Sequence, residues 1–567
     1  MYNLILLFTY YFIIIISILG YGLYFLKLLD KKITNNNFGY VGLFGLYTIL
    51  IYSYVSNFFF AHSYTHNILL ITLGIILFLV KFLKHYSQFK KEIFLTFIVF
   101  FLISSTILLH KNHDDFPYYH FPYTYYLTQQ SFYIGVGQFN HGFRTPSSIL
   151  YLNSLFYLPG AKYYLFHFTA IYILGFTNII LLKKIHNFFD YFRIQNQKID
   201  HINYLSLLSL IFINIFFARI AEHGTDRSAQ ILIFLLIIEI LVFAKLKKNK
   251  ESDLFNIYLL GAIIISLKAF YILYILFIVP LIYLVRKKNQ NYIKIIIFLF
   301  FNKYCVMFLS LLSLVLFTYF INTGCLIYPV SMTCFESFAW SIPISEVEKM
   351  NNHYEVWSKG GLTPNSRVTN PDEYITGFNW VSNWMNIYFF NKVSDFILGI
   401  SVLIIIVGIF FKKQFFQMKI NKIKNYIYII YFIIVILGVE WFFNHPALRY
   451  GGYCIIALIF FLPICLKLES KKIDYKKYTK NIFILIFVAV LALNMRNVIR
   501  INKEIKIYNY EPIKNTFYFT SSHYFRIQVL MDEFLIKYRD CLAAKKDCKL
   551  EKQKIIKEYG KIIFKNK

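Results

Sequence analysis

The chain has 567 residues, 58% of them hydrophobic and only 16% charged, with a mean hydropathy of +0.54. Soluble proteins average roughly 45–50% apolar and about 25% charged residues, so the composition excludes a water-soluble globule, a disordered chain and a disulfide-stapled secreted scaffold. The net charge of +30 would suit nucleic acid, but the basic residues cluster in short segments between apolar blocks, which is how a membrane protein fixes its orientation.

Fourteen apolar segments read as spans, near residues 3–26, 39–61, 66–83, 92–110, 161–182, 203–218, 228–244, 253–267, 269–285, 304–321, 394–411, 425–443, 449–466 and 481–498. A segment of roughly 18–25 apolar residues is long enough to cross the hydrocarbon core. The first lacks a basic leader and a small-residue cleavage site, and is read as a retained span. The expected fold is an all-α polytopic membrane protein with two large extracytoplasmic loops, 110–160 and 322–393. Three parts follow: extra N-terminal helices over 1–91, a transmembrane core over 92–498, and a basic helical tail over 499–567.

Alternating the loops gives a charge asymmetry. Of the 59 Lys and Arg residues, 31 fall in loops placed inside, 11 in loops placed outside, and 17 in the tail. That ratio sets the orientation, with both ends outside. The cysteines add a second signal. Cys325 and Cys334 open the second outside loop, and Cys541 and Cys548 lie together in the tail. Two closely spaced pairs outside the spans predict two local disulfides in an oxidising compartment.

Polar residues gather at the outside ends. The first island runs His110-Lys111-Asn112-His113-Asp114-Asp115-Phe116-Pro117-Tyr118-Tyr119-His120. Adjacent carboxylates at the membrane surface are costly to leave unpaired. One of Asp114 and Asp115 could serve as a general base, or one could cap the following helix. His113 and His120 could contact a substrate. A divalent cation such as Mg or Mn could sit on the Asp pair, and the flanking His113 and His120 could be metal ligands, although their spacing matches no defined metal motif. Farther along, Arg144 stands among small polar residues as an anion ligand or a carboxylate-paired arginine.

The second island, Arg219 to Ser228, supplies Glu222, His223, Asp226 and Arg227 as a site wall or as salt-bridged loop packing. Lys268 is an isolated cation between two apolar segments, for which phosphate is a natural partner. A third island, Glu440 to Gly452, brings Arg449. The 322–393 loop holds Trp340, Trp357, Trp380 and Trp384, suited to covering a cleft, stacking on a sugar ring or anchoring the loop at the interface.

Charged islands recur only at outside ends, and no span carries an isolated charge at mid-depth. This argues against an ion pathway through the midplane and against the paired broken helices of a secondary transporter. No P-loop, HExxH, GxSxG or kinase pattern occurs.

A span, an acidic motif opening the first large outside loop, a juxtamembrane helix and Gly142-Phe143-Arg144-Thr145-Pro146-Ser147-Ser148 together resemble the GT-C superfamily of membrane glycosyltransferases. The resemblance continues through His223-Gly224-Thr225-Asp226-Arg227, Ser266-Leu267-Lys268, Gly324-Cys325-Leu326-Ile327-Tyr328-Pro329 and the Arg449 region, and covers roughly residues 92–460. The chain departs from it in the three spans ahead of the acidic loop and in a tail that is no recognisable periplasmic domain.

The resemblance implies an enzyme of the bacterial cytoplasmic membrane. It would take a sugar from a polyprenyl-phosphate donor at the outer face and pass it to a glycan, lipid or protein acceptor, with no certain cofactor and no nucleic acid. Asp114 or Asp115 would be the base, and Lys268, Arg449 and Arg144 the phosphate ligands. The rival readings are a surface-polysaccharide polymerase or ligase, and a lipid or polysaccharide transporter. Reporter fusions after Lys91, Asn112 and Lys248 should read inside, outside and inside, and a cytoplasmic reading at Asn112 would move the Asp pair to the wrong face for this chemistry.

Overall fold

A computed structural model describes the chain apart from residues 30–36, 110–114, 191–198, 218–219, 221–224, 247, 288–290, 364–365, 416–423, 470–474, 510, 515, 518–547, 550–552, 559–560 and 567. Each of the fourteen apolar segments falls on helix. Among the described residues, ten helices are long and apolar enough to cross a membrane: Tyr2–Leu29, Phe38–Asn57, Tyr64–Lys84, Tyr163–Ile185, Asp226–Lys245, Ala269–Arg286, Lys303–Thr323, Val381–Phe410, Asn425–Asn444 and Tyr478–Tyr508. The protein is an all-α, multi-pass membrane protein. The other four segments fall on shorter helices, Tyr86–Leu102, His201–Phe216, Phe255–Leu267 and Gly452–Leu468. At 1.5 Å per residue, the 13 residues of Phe255–Leu267 rise about 20 Å, less than the roughly 30 Å of a hydrocarbon core.

The tail departs from its expected helix. The last long helix runs on to Tyr508, and the described residues beyond it include three short antiparallel strands, Cys548–Lys549, Gln553–Glu558 and Lys561–Asn566. The second strand pairs with the third from Gln553–Asn566 to Glu558–Lys561. The β-branched and aromatic run Ile562-Ile563-Phe564 between Lys561 and Lys565 favours a strand, since such side chains fit a pleated surface.

Helices Tyr163–Ile185 and Asp226–Lys245 are buried nearly all round, whereas Tyr64–Lys84 and Tyr478–Tyr508 leave most of their apolar surface outward. A helix apolar all round belongs at the centre of such a bundle, and an outward apolar face meets lipid. The three N-terminal helices pack on one another and on this core through glycines. A Cβ on Gly20 would come within 1.9 Å of the Gly74 carbonyl oxygen, and one on Gly42 within 2.2 Å of the Phe176 ring. Small residues let membrane helices approach backbone to backbone, where dispersion replaces the absent hydrophobic drive. The turn after the second helix is held by buried His62, whose Nδ1 lies 2.7 Å from Ser154 Oγ and Nε2 3.1 Å from Ser56 Oγ. Burial pushes the His62 pKa down to about 3.

Ion pairs sit at both ends of the bundle. At one end Glu239 pairs with Lys184, accepts from Tyr40 Oη at 2.6 Å and from Asn256 Nδ2 at 3.0 Å. Nearby are the pairs Lys183–Glu92, Lys245–Asp200 and His201–Glu469. These residues belong to the loops predicted inside or to the helix ends beside them. The other end carries the polar islands.

Loop 322–393 folds onto that second end. Cys325 and Cys334 are joined in a disulfide, while the tail pair falls on Cys541, outside the described residues, and Cys548. Gly324 ends the Lys303–Thr323 helix in the left-handed region at φ 79°, and its Cβ position lies 2.1 Å from Ser341 Oγ, so both conformation and space call for glycine. The tryptophans act mainly as pins. Trp340 Nε1 donates to the Phe320 carbonyl, Trp384 Nε1 to the Pro446 carbonyl and Trp380 Nε1 to the Gly377 carbonyl. Trp357 alone of the four is exposed, at 42%.

Replacing Gly20 by alanine gains up to about 1 kcal/mol of helix propensity, but must push two backbones apart, an overpacking cost of about 1–3 kcal/mol. Gly20→Ala should therefore lower the melting temperature in detergent. Gly408→Ala, whose Cβ meets nothing closer than 3.7 Å, should melt at or above the wild-type temperature. Equal melting of wild type and Gly20→Ala would contradict the close-packed interface.

Candidate functional site

Four charged residues from widely separated segments meet at the end of the bundle that bears the polar islands. Asp115 stands directly before the π-helical turn Phe116–His120 of the first outside loop. Asp226 is the first residue of its helix, where the helix dipole favours a carboxylate. Lys268 is the extended residue, φ −163°, between helix Phe255–Leu267 and the helical stretch Ala269–Arg286. Arg449 lies in the short turn Leu448–Tyr450, between helices Asn425–Asn444 and Gly452–Leu468.

Each cation faces a carboxylate. Lys268 Nζ lies 2.5 Å from Asp226 Oδ1, and Arg449 Nη1 lies 3.6 Å from Asp115 Oδ2. Tyr119 Oη donates to Asp115 Oδ2 at 3.3 Å, and Tyr271 Oη to the Asp226 carbonyl at 3.3 Å. Between the two pairs stands Tyr450. Lys268 Nζ is 4.3 Å and Arg449 Cζ 4.8 Å from its ring centroid, and Arg449 Nη2 donates to its hydroxyl at 2.7 Å. Both pairs remain about one-third accessible on at least one side chain, so a ligand can reach them.

The supports are rigid. Gln230 Nε2 donates to the Arg449 carbonyl at 2.9 Å, and its Oε1 accepts from the Cys454 amide at 3.1 Å. The Leu448 amide donates to Tyr388 Oη at 2.8 Å. Ser147 Oγ donates to the Leu267 carbonyl at 2.5 Å, tying the first loop to the residue before Lys268.

His445 flanks the group, its ring 5.7 Å from Phe270 and 5.8 Å from Tyr450. Burial and the charges of Lys268 and Lys359 push its pKa down to about 4, so it is neutral at pH 7, and its buried Nδ1 has no hydrogen-bond partner among the described residues. Tyr119, half-buried beside Asp115, has its pKa raised well above the usual phenol value, because desolvation and that carboxylate disfavour a phenolate.

The predicted site residues thus divide. Asp115, Asp226, Lys268 and Arg449 come together. Arg144 joins a neighbouring cluster: it is 5% exposed, pairs with Glu346 Oε1 at 2.8 Å, and donates to the Gly137 carbonyl and Tyr328 Oη. Carboxylate pairing is the alternative this residue takes, and it staples the first loop to helix Ile344–Ser358. His120 is buried with its ring 4.3 Å from that of Tyr119. Arg227 is near enough to Arg496 for their charges to repel. His113, Asp114, Glu222 and His223 lie outside the described residues. Among the described residues no three metal-ligating side chains converge, and Asp115 meets the Arg449 cation and the Tyr119 phenol.

Tyr119, Tyr271, His445 and Tyr450 join the site without having been singled out by the sequence. In a chain with 48 tyrosines composition does not single one out. Adjacency to Arg449 was the available signal for Tyr450.

Residues 4–456 match DUF8201, a domain family of unknown function. The chain belongs to that family. No curated protein and no solved structure matches it. The match takes in the three N-terminal helices and all four charged residues, and it ends ahead of helix Tyr478–Tyr508.

His445 gives a pH dependence with a definite sign. The folded chain protonates it only near pH 4, while an unfolded chain does so near 6.5. The unfolded state then binds more protons between those values, so stability is full above about pH 6.5 and drains as pH falls toward 4. His62 acts in the same direction. Melting curves from pH 7 to 4.5 should show this loss, and His445→Gln should reduce its slope. An unchanged slope would show that His445 titrates normally.

Proposed function

We propose that the protein is a GT-C-like glycosyltransferase that takes a sugar from a polyprenyl-phosphate donor at the extracytoplasmic face. Its fold would be fourteen spans, with extracytoplasmic loops 110–160 and 322–393 built over one end. The observation that carries the reading is the meeting of two carboxylate–cation pairs at the edge of an apolar bundle. A lipid-borne phosphate approaches along the hydrocarbon, and its charge needs preorganised cations where hydrocarbon gives way to water.

In this reading the acceptor oxygen attacks the anomeric carbon of the donor sugar. Its hydroxyl proton passes to Asp115, or to its neighbour Asp114. The bond between the anomeric carbon and the phosphate oxygen breaks, and the electron pair leaves on that oxygen. Lys268 and Arg449 meet the charge that develops there. Arg449 leaving Asp115 for the phosphate would turn the carboxylate toward the acceptor. No step in this sequence needs a metal.

A positioned general base contributes roughly 100- to 10,000-fold, so Asp115→Asn should lower turnover of a polyprenyl-phosphate sugar by that order while donor binding holds or tightens. Lys268→Ala and Arg449→Ala should weaken binding and turnover together. Single variants of the purified protein, assayed for transfer and for donor binding, make the check. Near-normal transfer in both Asp115→Asn and Asp114→Asn would remove the carboxylate-base mechanism and leave the polymerase reading, which relies on arginines, ahead.

A further inference from the structure

Among the described residues, one aromatic ring meets both cations of the site. Tyr450 is 9% exposed, with Lys268 Nζ 4.3 Å and Arg449 Cζ 4.8 Å from its centroid. The turn that carries it is fixed at both sides, through the Gln230 donation to the Arg449 carbonyl and the Leu448 donation to Tyr388 Oη. Gly451, at φ 100°, lets the chain leave the turn in a conformation that L side chains rarely adopt and enter the next helix.

We propose that Tyr450 is a positioning residue that holds Lys268 and Arg449 as one two-cation cradle for a phosphate monoester, which enters by exchange for the carboxylates of Asp226 and Asp115. This rests on the transferase reading and deepens it. Lysine and arginine each carry about 2 kcal/mol of rotamer entropy, so two of them converge on one ligand only if something rigid orders them beforehand. A buried ring with two torsions, attractive to cations on its faces, is such an object, and the hydroxyl adds a hydrogen bond to the guanidinium.

The charge count then selects the ligand. Among the described residues, the ion pairs at rest set two carboxylates against two cations. A ligand with a single charge satisfies one cation and leaves the other to its carboxylate. A phosphate monoester carries close to two negative charges and three acceptor oxygens, enough to replace both. A polyprenyl-phosphate sugar is a phosphodiester with one charge. The lipid phosphate left after transfer is a monoester with nearly two. The cradle therefore matches the state toward which charge moves during the reaction, which is where stabilisation accelerates chemistry, and its cost is tight product retention.

The test uses the full purified chain in detergent, with calorimetric titration of a fifteen-carbon polyprenyl monophosphate and of its methyl phosphodiester. Wild type should bind the monoester more tightly than the diester, and Tyr450→Phe, which keeps the ring, should retain that preference. Tyr450→Leu and Tyr450→Met, made in parallel so that one folded variant suffices, should weaken the monoester by about tenfold and the diester much less. Asp226→Asn, which removes a carboxylate the phosphate must displace, should tighten the monoester. Monoester affinity within twofold of wild type in both ring-deleted variants overturns the positioning role while wild-type binding keeps the transferase reading. Weaker binding in Asp226→Asn overturns the exchange. Wild type binding neither lipid overturns the transferase reading and the cradle together.

Discussion

Charge at the edge of an apolar bundle has to be paired, and that requirement arranges this end of the molecule. Lys268 interrupts two apolar helices and Arg449 sits in the turn between two more. Leaving either cation unmatched beside hydrocarbon would cost several kcal/mol. Asp226 and Asp115 supply the matching charges from two other segments, so four parts of the chain, separated by more than three hundred residues, are drawn to one place. In the proposed transferase the pairing would also make the place reactive. A pair that is partly accessible can be broken by a better partner, and phosphate competes for cations with more charge and more acceptor oxygens than a carboxylate offers.

The same rule shapes the opposite end with a different outcome. Glu239 is 6% exposed and meets a lysine, a phenol and an amide, which fills its acceptor sites and leaves little for a ligand. That cluster ties the second helix, through Tyr40, to the central helices. Arg144 plays a related part among the outside loops, where Glu346 and Tyr328 hold it. Paired charge thus serves as mortar in two places and stays partly accessible at Asp115–Arg449 and Lys268–Asp226.

Much of this was readable in the amino-acid order. Apolar length alone located every long helix, because twenty such residues have one stable arrangement in lipid. Lys268 and Arg449 stood out as isolated cations beside apolar runs, and Asp115 and Asp226 as acids on the same predicted face. Sequence could not say which acid pairs with which cation, since pairing depends on how four helix ends converge. It left Arg144 open between anion ligand and salt bridge, because Glu346 lies 202 positions away and nothing local announces it. Tyr450 and His445 were hidden by an abundance of aromatics. The tail is basic, and a helix was expected there; among its described residues 499–508 lie on helix and Gln553–Glu558 and Lys561–Asn566 are strands. The end of helix Phe255–Leu267 was legible, since the expected segment 253–267 stops where the isolated Lys268 begins.

The central claim is that the two cations beside Tyr450 receive a lipid phosphate. A cryo-electron microscopy map of the purified chain with a bound polyprenyl monophosphate addresses it directly. The account predicts phosphate density between Lys268 and Arg449, with the polyprenyl chain running along the outer face of the bundle and the Asp226 and Asp115 carboxylates no longer on their cations. Phosphate density elsewhere, with the Lys268–Asp226 and Arg449–Asp115 pairs intact, would contradict it.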